Sequence, residues 1–252
     1  MSVRRVRIDL AYDGTDFAGW QFQPGQRTVQ GTLEAALRRL AGGEGRRVRG
    51  AGRTDAGAHA RQQVADHDFT GRHGDAELQH SLRGILPPDL RVVRARTVDP
   101  AFDARRDARA KTYRYRLDTT PHGDPFLARY ALHHPDSFDR DRVRDALARL
   151  PGRRDWSGFT AASCEIVDRI REVRRAQLIE TGTEIHFEFT ADGFLTHMVR
   201  NVVGTLLEVA RGRFEPARID RILESRDRSL AGRTAPAHGL CLMEIRYPGE
   251  DG

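Results

Sequence analysis

Lysine is almost missing. Lys111 is the only one among 42 basic residues, so nearly all of the positive charge is arginine. Cysteine is scarce as well. Cys164 and Cys241 stand in dissimilar contexts, which argues against a disulfide framework or a cysteine-built zinc site and fits a reducing cytoplasm. No stretch is long and apolar enough to span a bilayer. The opening "MSVRRVRIDLAYDG" is basic but lacks an apolar core of signal-peptide length. Low-complexity tracts, short-period repeats, nucleotide-binding motifs and metal-binding motifs are absent.

What is present describes a soluble globular protein. A chain of 252 residues, 38% hydrophobic and 31% charged, suits one large or two modest domains and can bury a real core. The net charge of +6 points to a polyanionic partner. A coding bias toward arginine would give the same charge. Whatever its origin, arginine is the better residue for bidentate phosphate contacts and for stacking on bases.

Periodicity predicts the elements. Val6, Ile8, Leu10 and Tyr12 alternate, predicting a strand with one buried side. Val29, Leu33, Leu37 and Leu40 recur at helical spacing, with Gly42 and Gly43 as a stop. "RRVRGAGRTDAG" reads as a short strand running into a loop, "QQVADHDF" and "LRVVRARTV" as strands, and "DAELQHSLRGILPPD" as a helix ended by its prolines. The second half repeats the theme. "AKTYRYRLD" places Tyr113, Tyr115 and Leu117 on one face and Arg114 and Arg116 on the other. "SFDRDRVRDALARLPG" predicts a helix with Val143, Ala146, Leu147 and Leu150 inward. "EVRRAQLIE" and "EIHFEFTAD" form strands joined by a turn. "THMVRNVVGTLLEVARG" and "PARIDRILES" form helices, and "GLCLMEIRYP" a closing strand. The expectation is an α+β protein of two sheet-and-helix halves, RRM or ferredoxin-like, with mainly antiparallel sheets and helices on one side. The halves would be residues 1–105 and 106–252.

Several residues could carry chemistry. "GAGRTDAGAHA", Gly50 to Ala60, sets Arg53 and Asp55 among small residues. An aspartate in such a loop ordinarily forms a turn or caps a helix. In a cleft the same loop would let a planar substrate reach a carboxylate held ionised by a nearby arginine, which suits a nucleophile on a base or sugar. Tyr113 and Tyr115 are ordinary core aromatics by pattern, Tyr115 especially. Interleaved with arginine they also match an RNA-binding strand. Arg200, near the start of an apolar helix, either reaches solvent or needs a buried acidic partner. "ADHD" puts Asp66 and Asp68 on one face and His67 on the other. Even joined by His59 it falls short of a metal site.

These motifs, in this order, resemble the tRNA pseudouridine synthase A (TruA) family. The likeness runs through "YDGTDFAGWQFQPGQRTVQGTLEAAL", "GAGRTDAGAHA", "FDARRDARAKTYRY", "HMVRNVVGTLLEV" and "APAHGLCLMEIRYP". Ala58 stands where the family more usually has valine, and "CEIVDRIREV" departs from the family pattern. The resemblance implies that Asp55 is the catalytic aspartate and that Arg53 helps displace the target nucleotide. It further implies that Tyr113 packs on the uracil, Arg200 pairs with the aspartate, and Leu242 borders the base. Phe102, Asp103, Ala104, Arg105 and Arg106, and Glu165, Ile166, Val167, Asp168 and Arg169, would be tRNA-contacting segments.

The implied reaction is isomerisation of uridine to pseudouridine at positions 38, 39 and 40 of the anticodon stem-loop of tRNA. The implied setting is an active-site cleft between the halves of a cytoplasmic homodimer, with one tRNA touching both subunits and no cofactor. Three routes for Asp55 stay open: attack at C6, attack at C1′, or assistance to elimination at C2′. Two other readings share the residues. A non-catalytic RNA-binding protein would have no need of Asp55. A nucleoside hydrolase would release free uracil.

Overall fold

Val6, Ile8, Leu10 and Tyr12 are all buried along β1 (Arg4–Tyr12) in the computed structural model, which describes residues 3–42 and 46–250. The described residues form two compact units, one within residues 1–109 and 242–252 and the other Ala110–Cys241.

In the first unit β1 runs antiparallel to both β3 (His59–Phe69) and β4 (Leu90–Thr97), with Ile8 opposite Ala65 and Ala95. The short β2 (Arg49–Gly50) pairs with β3, and β10 (Leu240–Arg246) is the other neighbour of β3. Sequence alternation predicted one buried side for β1, but both are covered. Arg7 and Asp9, at the intervening positions, are also buried. Arg7 is joined to Asp9 and Glu250 and lies 4.5 Å from the Tyr247 ring centroid, so the chain's end covers this face.

α1 (Val29–Leu40) begins where the Thr28 hydroxyl accepts the Gly31 N–H at 3.2 Å. It buries Val29, Leu33, Ala36 and Leu37, whereas Leu40 is only partly covered. Gly42, at φ +76°, supplies the left-handed stop. Gly43, expected to share that role, lies outside the described residues. α2 (Asp75–Ile85) buries Leu78 and Leu82 against α1 and β4. Leu86 leaves it in extended conformation because Pro87 follows.

In the second unit β5 (Ala110–Asp118), β9 (Glu184–Ala191), β8 (Ile170–Thr181) and β7 (Gly152–Asp155) pair in that order, each antiparallel to the next. The two-residue β6 (Leu132–His133) lies parallel to β5. α3 (Arg140–Ala148) is capped by the Asp139 carboxylate and buries Val143, Ala146 and Leu147, with Leu150 buried just beyond. α4 (Met198–Ala210) is buried on almost every side, as its apolar composition requires. α5 (Arg218–Ser225) buries Ile219, Ile222 and Leu223.

The architecture is thus α+β with largely antiparallel sheets. Sequence order places residues 106–252 in the second half; of the described residues, 106–109 and 242–250 cluster with the first unit. The Arg109 N–H donates to the Arg246 carbonyl at 2.8 Å, and the Tyr247 hydroxyl donates to the Ala104 carbonyl at 2.6 Å.

Candidate active site

The loop between β2 and β3 is held from beneath at many points. Ala51 N–H donates to the Val64 carbonyl at 2.8 Å, and the Gln63 amide donates to the Gly52 carbonyl at 3.0 Å. Thr54 is the buried anchor. Its hydroxyl pairs with the Tyr12 hydroxyl at 2.8 Å, and its carbonyl accepts the Trp20 N–H at 3.1 Å. On either side of this anchor Arg53 is exposed and Asp55 half-buried, so both stand on the open side of the loop. The Asp55 carbonyl then accepts the Ala58 N–H at 3.1 Å, a tight turn that Gly57 completes at φ +79°. Gly57 N–H donates to Phe17 and Gly14 N–H donates to Nδ1 of His59, which ties the loop to the "YDG" segment.

Close packing explains part of the glycine content. A Cβ at Gly50 would come within 2.4 Å of the Trp20 indole, and one at Gly14 within 1.9 Å of the Ala58 carbonyl oxygen. The sequence reading gave the loop glycines to an approaching substrate. At Gly50 it is the protein's own Trp20 that approaches.

The turn 102–106 belongs to the same unit. Ala104 is buried, Phe102 and Asp103 are partly covered, and Arg105 and Arg106 are exposed. The Asp103 carboxylate accepts the N–H groups of Arg105 and Arg106, each at 2.9 Å. Burial works to raise the Asp103 carboxyl, but these donors and nearby arginines outweigh it and hold it below the ordinary carboxylate range. Leu242, also in this unit, is fully buried on β10.

In the second unit Tyr113 is buried on β5, its ring edge-on to Phe194 at 5.0 Å and 84°. Tyr115 is fully buried and donates its hydroxyl to the Pro236 carbonyl at 2.9 Å. Burial pushes its phenol far up, against the pull of Arg200. Both facts match the core role its pattern suggested. Arg200, on the first turn of α4, is half-buried and donates Nε to the Ala235 carbonyl at 2.7 Å, while the Ala235 N–H returns to the Arg200 carbonyl at 3.1 Å. Before it, His197 adopts the left-handed region at φ 60°, a strained state for a non-glycine residue beside a candidate site.

The segment 165–169 forms an exposed loop. Glu165, Val167 and Asp168 are exposed and Ile166 and Arg169 partly covered, with Val167 95% accessible. The Asp168 carboxylate accepts the Ile170 N–H, which sets the start of β8.

Asp66 and Asp68 are engaged by arginines, and burial holds the His67 imidazole below its ordinary value. Among the described residues no group of three His, Cys, Asp or Glu side chains is arranged to hold a metal ion. Nor, among them, is any helix long and apolar enough to cross a membrane. Sequence reasoning missed the supports of the candidate site: Thr54, Tyr12, Trp20 and Asp66. Of these, Tyr12 and Asp66 stand at buried strand positions, where a polar type is a signal; Thr54 and Trp20 lie in loops and carry none.

Comparison with known proteins identifies the family. A family model described as tRNA pseudouridine synthase matches residues 146–248. The tRNA pseudouridine synthase A of Latilactobacillus sakei is 42% identical over 97% of this chain and 99% of its own length. That of Geobacillus kaustophilus is 42% identical over 98% of this chain and 96% of its own. Among solved structures, an archaeal box H/ACA Nop10–Cbf5 complex aligns with 80% of this chain and 42% of its own at 11% identity and a TM-score of 0.37, too slight a likeness to bear on the fold.

Proposed function

The chain belongs to the tRNA pseudouridine synthase A family, an isomerase family, and from that premise we propose that it converts uridine to pseudouridine at positions 38, 39 and 40 in the anticodon stem-loop of tRNA. The observation that carries this reading is the 42% identity extending over 97% of the chain. The loop geometry supports it: a rigidly anchored Thr54 leaves the Arg53 and Asp55 side chains on the open side.

The reaction breaks the N1–C1′ bond, turns the uracil and joins C5 to C1′. Reactant and product are isomers, so no electrons or groups are exchanged with a second substrate. The target nucleotide must first leave its stack, at a cost of roughly a few kcal/mol. Arg53 offsets part of that cost by filling the vacated space and meeting the backbone phosphate. Asp55 is the nucleophile, and Arg200 is the arginine that pairs with it and orients it. Tyr113 contributes mainly by packing on the uracil and secondarily by taking the proton that leaves C5, and Leu242 borders the base. Phe102 to Arg106 and Glu165 to Arg169 hold the tRNA. The enzyme acts as a cytoplasmic homodimer, with one tRNA touching both subunits.

Incubation with unmodified tRNA followed by carbodiimide-based mapping tests the reaction and its positions together. The expected result is pseudouridine at 38 to 40 without free uracil. Free uracil in place of pseudouridine would mean a hydrolase and would overturn the proposal.

A further inference from the structure

Asp66 takes no part in the chemistry above, yet it is 1% exposed on β3 and fully engaged. Its Oδ1 accepts the backbone N–H of Ala104 at 2.8 Å. Its Oδ2 accepts Nε and a terminal nitrogen of Arg49 at 2.9 and 2.6 Å, with a terminal nitrogen of Arg5 at 3.4 Å. Arg49 lies on β2, directly before the loop that bears Arg53 and Asp55, and reaches within 3.8 Å of Asp103. Arg5 also donates to the Phe102 carbonyl at 2.6 Å. From the other side the Tyr247 hydroxyl donates to the Ala104 carbonyl at 2.6 Å, and its ring lies 5.3 Å from that of Phe102.

The turn 102–106 is therefore clamped at its buried backbone, and what it presents outward is arginine. Arg106 is occupied by the Ala101 carbonyl and Asp107. Arg105 is exposed and has no side-chain partner among the described residues. A guanidinium so placed on a fixed turn suits a backbone phosphate.

We infer that Asp66 is a positioning residue for tRNA: one buried carboxylate ties the Arg105-bearing turn to the strand that leads into the Asp55 loop, so a phosphate held by Arg105 sets where the target nucleotide lies. This rests on the proposed function, since it needs tRNA as the substrate. Removing the charge releases Arg49 and weakens the hold on Arg5, the two arginines that also reach the turn at Asp103 and at the Phe102 carbonyl, so the turn loosens even where the Ala104 N–H keeps its acceptor. Binding then suffers through Arg105, although Asp66 never touches RNA.

The test is a double-mutant cycle on full-length protein with an unmodified tRNA transcript. Asp66→Asn keeps the shape and an oxygen for the Ala104 N–H but loses the charge that holds Arg49. Asp66→Asn and Arg105→Ala should each raise KM for tRNA by about 5- to 10-fold, more than either lowers kcat, and the double variant should be no worse than the worse single one. Each should also reduce the slope of log affinity against log salt by about one phosphate contact. A merely structural role would leave that slope unchanged. Tyr247→Phe loosens the same turn from its other side and should show the same coupling to Arg105→Ala, which keeps the test decisive should Asp66→Asn fail to fold. Additive KM effects, or a wild-type salt slope in Asp66→Asn and Tyr247→Phe, would overturn the inference. If the wild-type protein forms pseudouridine while the substitutions act additively, this inference alone falls. If it binds no tRNA, the proposed function falls with it.

Discussion

At Gly14 a single added carbon would lie 1.9 Å from the Ala58 carbonyl oxygen, and no side-chain motion can relieve a clash with backbone. Gly14→Ala must therefore move either the "YDG" segment or the Asp55 loop. The expected cost is about 1–3 kcal/mol of stability, with kcat falling because Asp55 moves with its loop. Thermal unfolding and turnover on tRNA read both effects. A variant as stable and active as the wild type would show that the loop relaxes freely. The sequence made this loop conspicuous by its small residues but left open what approached them. At Gly50 the answer is Trp20, thirty positions away in the chain, and nothing local in "GAGRTD" names it. Asp66 was equally opaque. Its strand alternation was legible, but its arginine and backbone partners come from residues 5, 49 and 104, which only the fold assembles.

At the scale of elements, α4 shows what patterning conveys and what it hides. Its length and near-complete burial were legible from its apolar run, and Arg200 stood out within it. Asn201, the next residue, drew no comment, yet it is 1% exposed and joins three segments. Its amide donates to the Phe159 carbonyl at 2.7 Å, and its oxygen accepts from Thr234 at 2.7 Å and Arg228 at 3.0 Å. Asn201→Ala leaves these groups without their partner in a buried place. The expected loss is about 1–3 kcal/mol, read as a lower urea midpoint. An unchanged midpoint would show that Arg228 and Thr234 satisfy one another without it. Strands with apolar alternation were read correctly, whereas β6, β7 and the single-turn 3-10 helices at Ser157–Phe159, Arg228–Leu230 and Ala237–Gly239 were not. The reasons are physical. "GRRD" in β7 has no apolar face to alternate, β6 is two residues long, and a three-residue turn is shorter than any period.

At the scale of the molecule, ionisation sets how stability depends on pH. Burial holds the imidazoles of His67 and His134 below their ordinary value, with Arg211 adding to the effect at His134. Below about pH 6.5 the unfolded chain takes up these protons before the folded one does, so stability falls as the pH drops through that window. A second loss follows below about pH 4. There the carboxylates held down by arginine, Asp68 by Arg5 and Glu184 by Arg116, protonate in the unfolded chain first. Both effects have the same sign. The urea midpoint should therefore drop between about pH 7.5 and 5.5 and again toward pH 3.5. A midpoint that is flat over the first interval would contradict the burial of the two histidines.

The central claim is that this chain isomerises uridine in tRNA through Asp55. Its most direct test is pseudouridine mapping on one unmodified tRNA treated with wild-type protein and, in parallel, with Asp55→Asn. Removing one charge from a half-buried loop residue leaves the Thr54 anchor intact, so the variant should fold and bind tRNA as the wild type does. The account predicts pseudouridine at positions 38 to 40 with the wild type and none with Asp55→Asn. Measurable turnover by the variant, or none by the wild type, would contradict it.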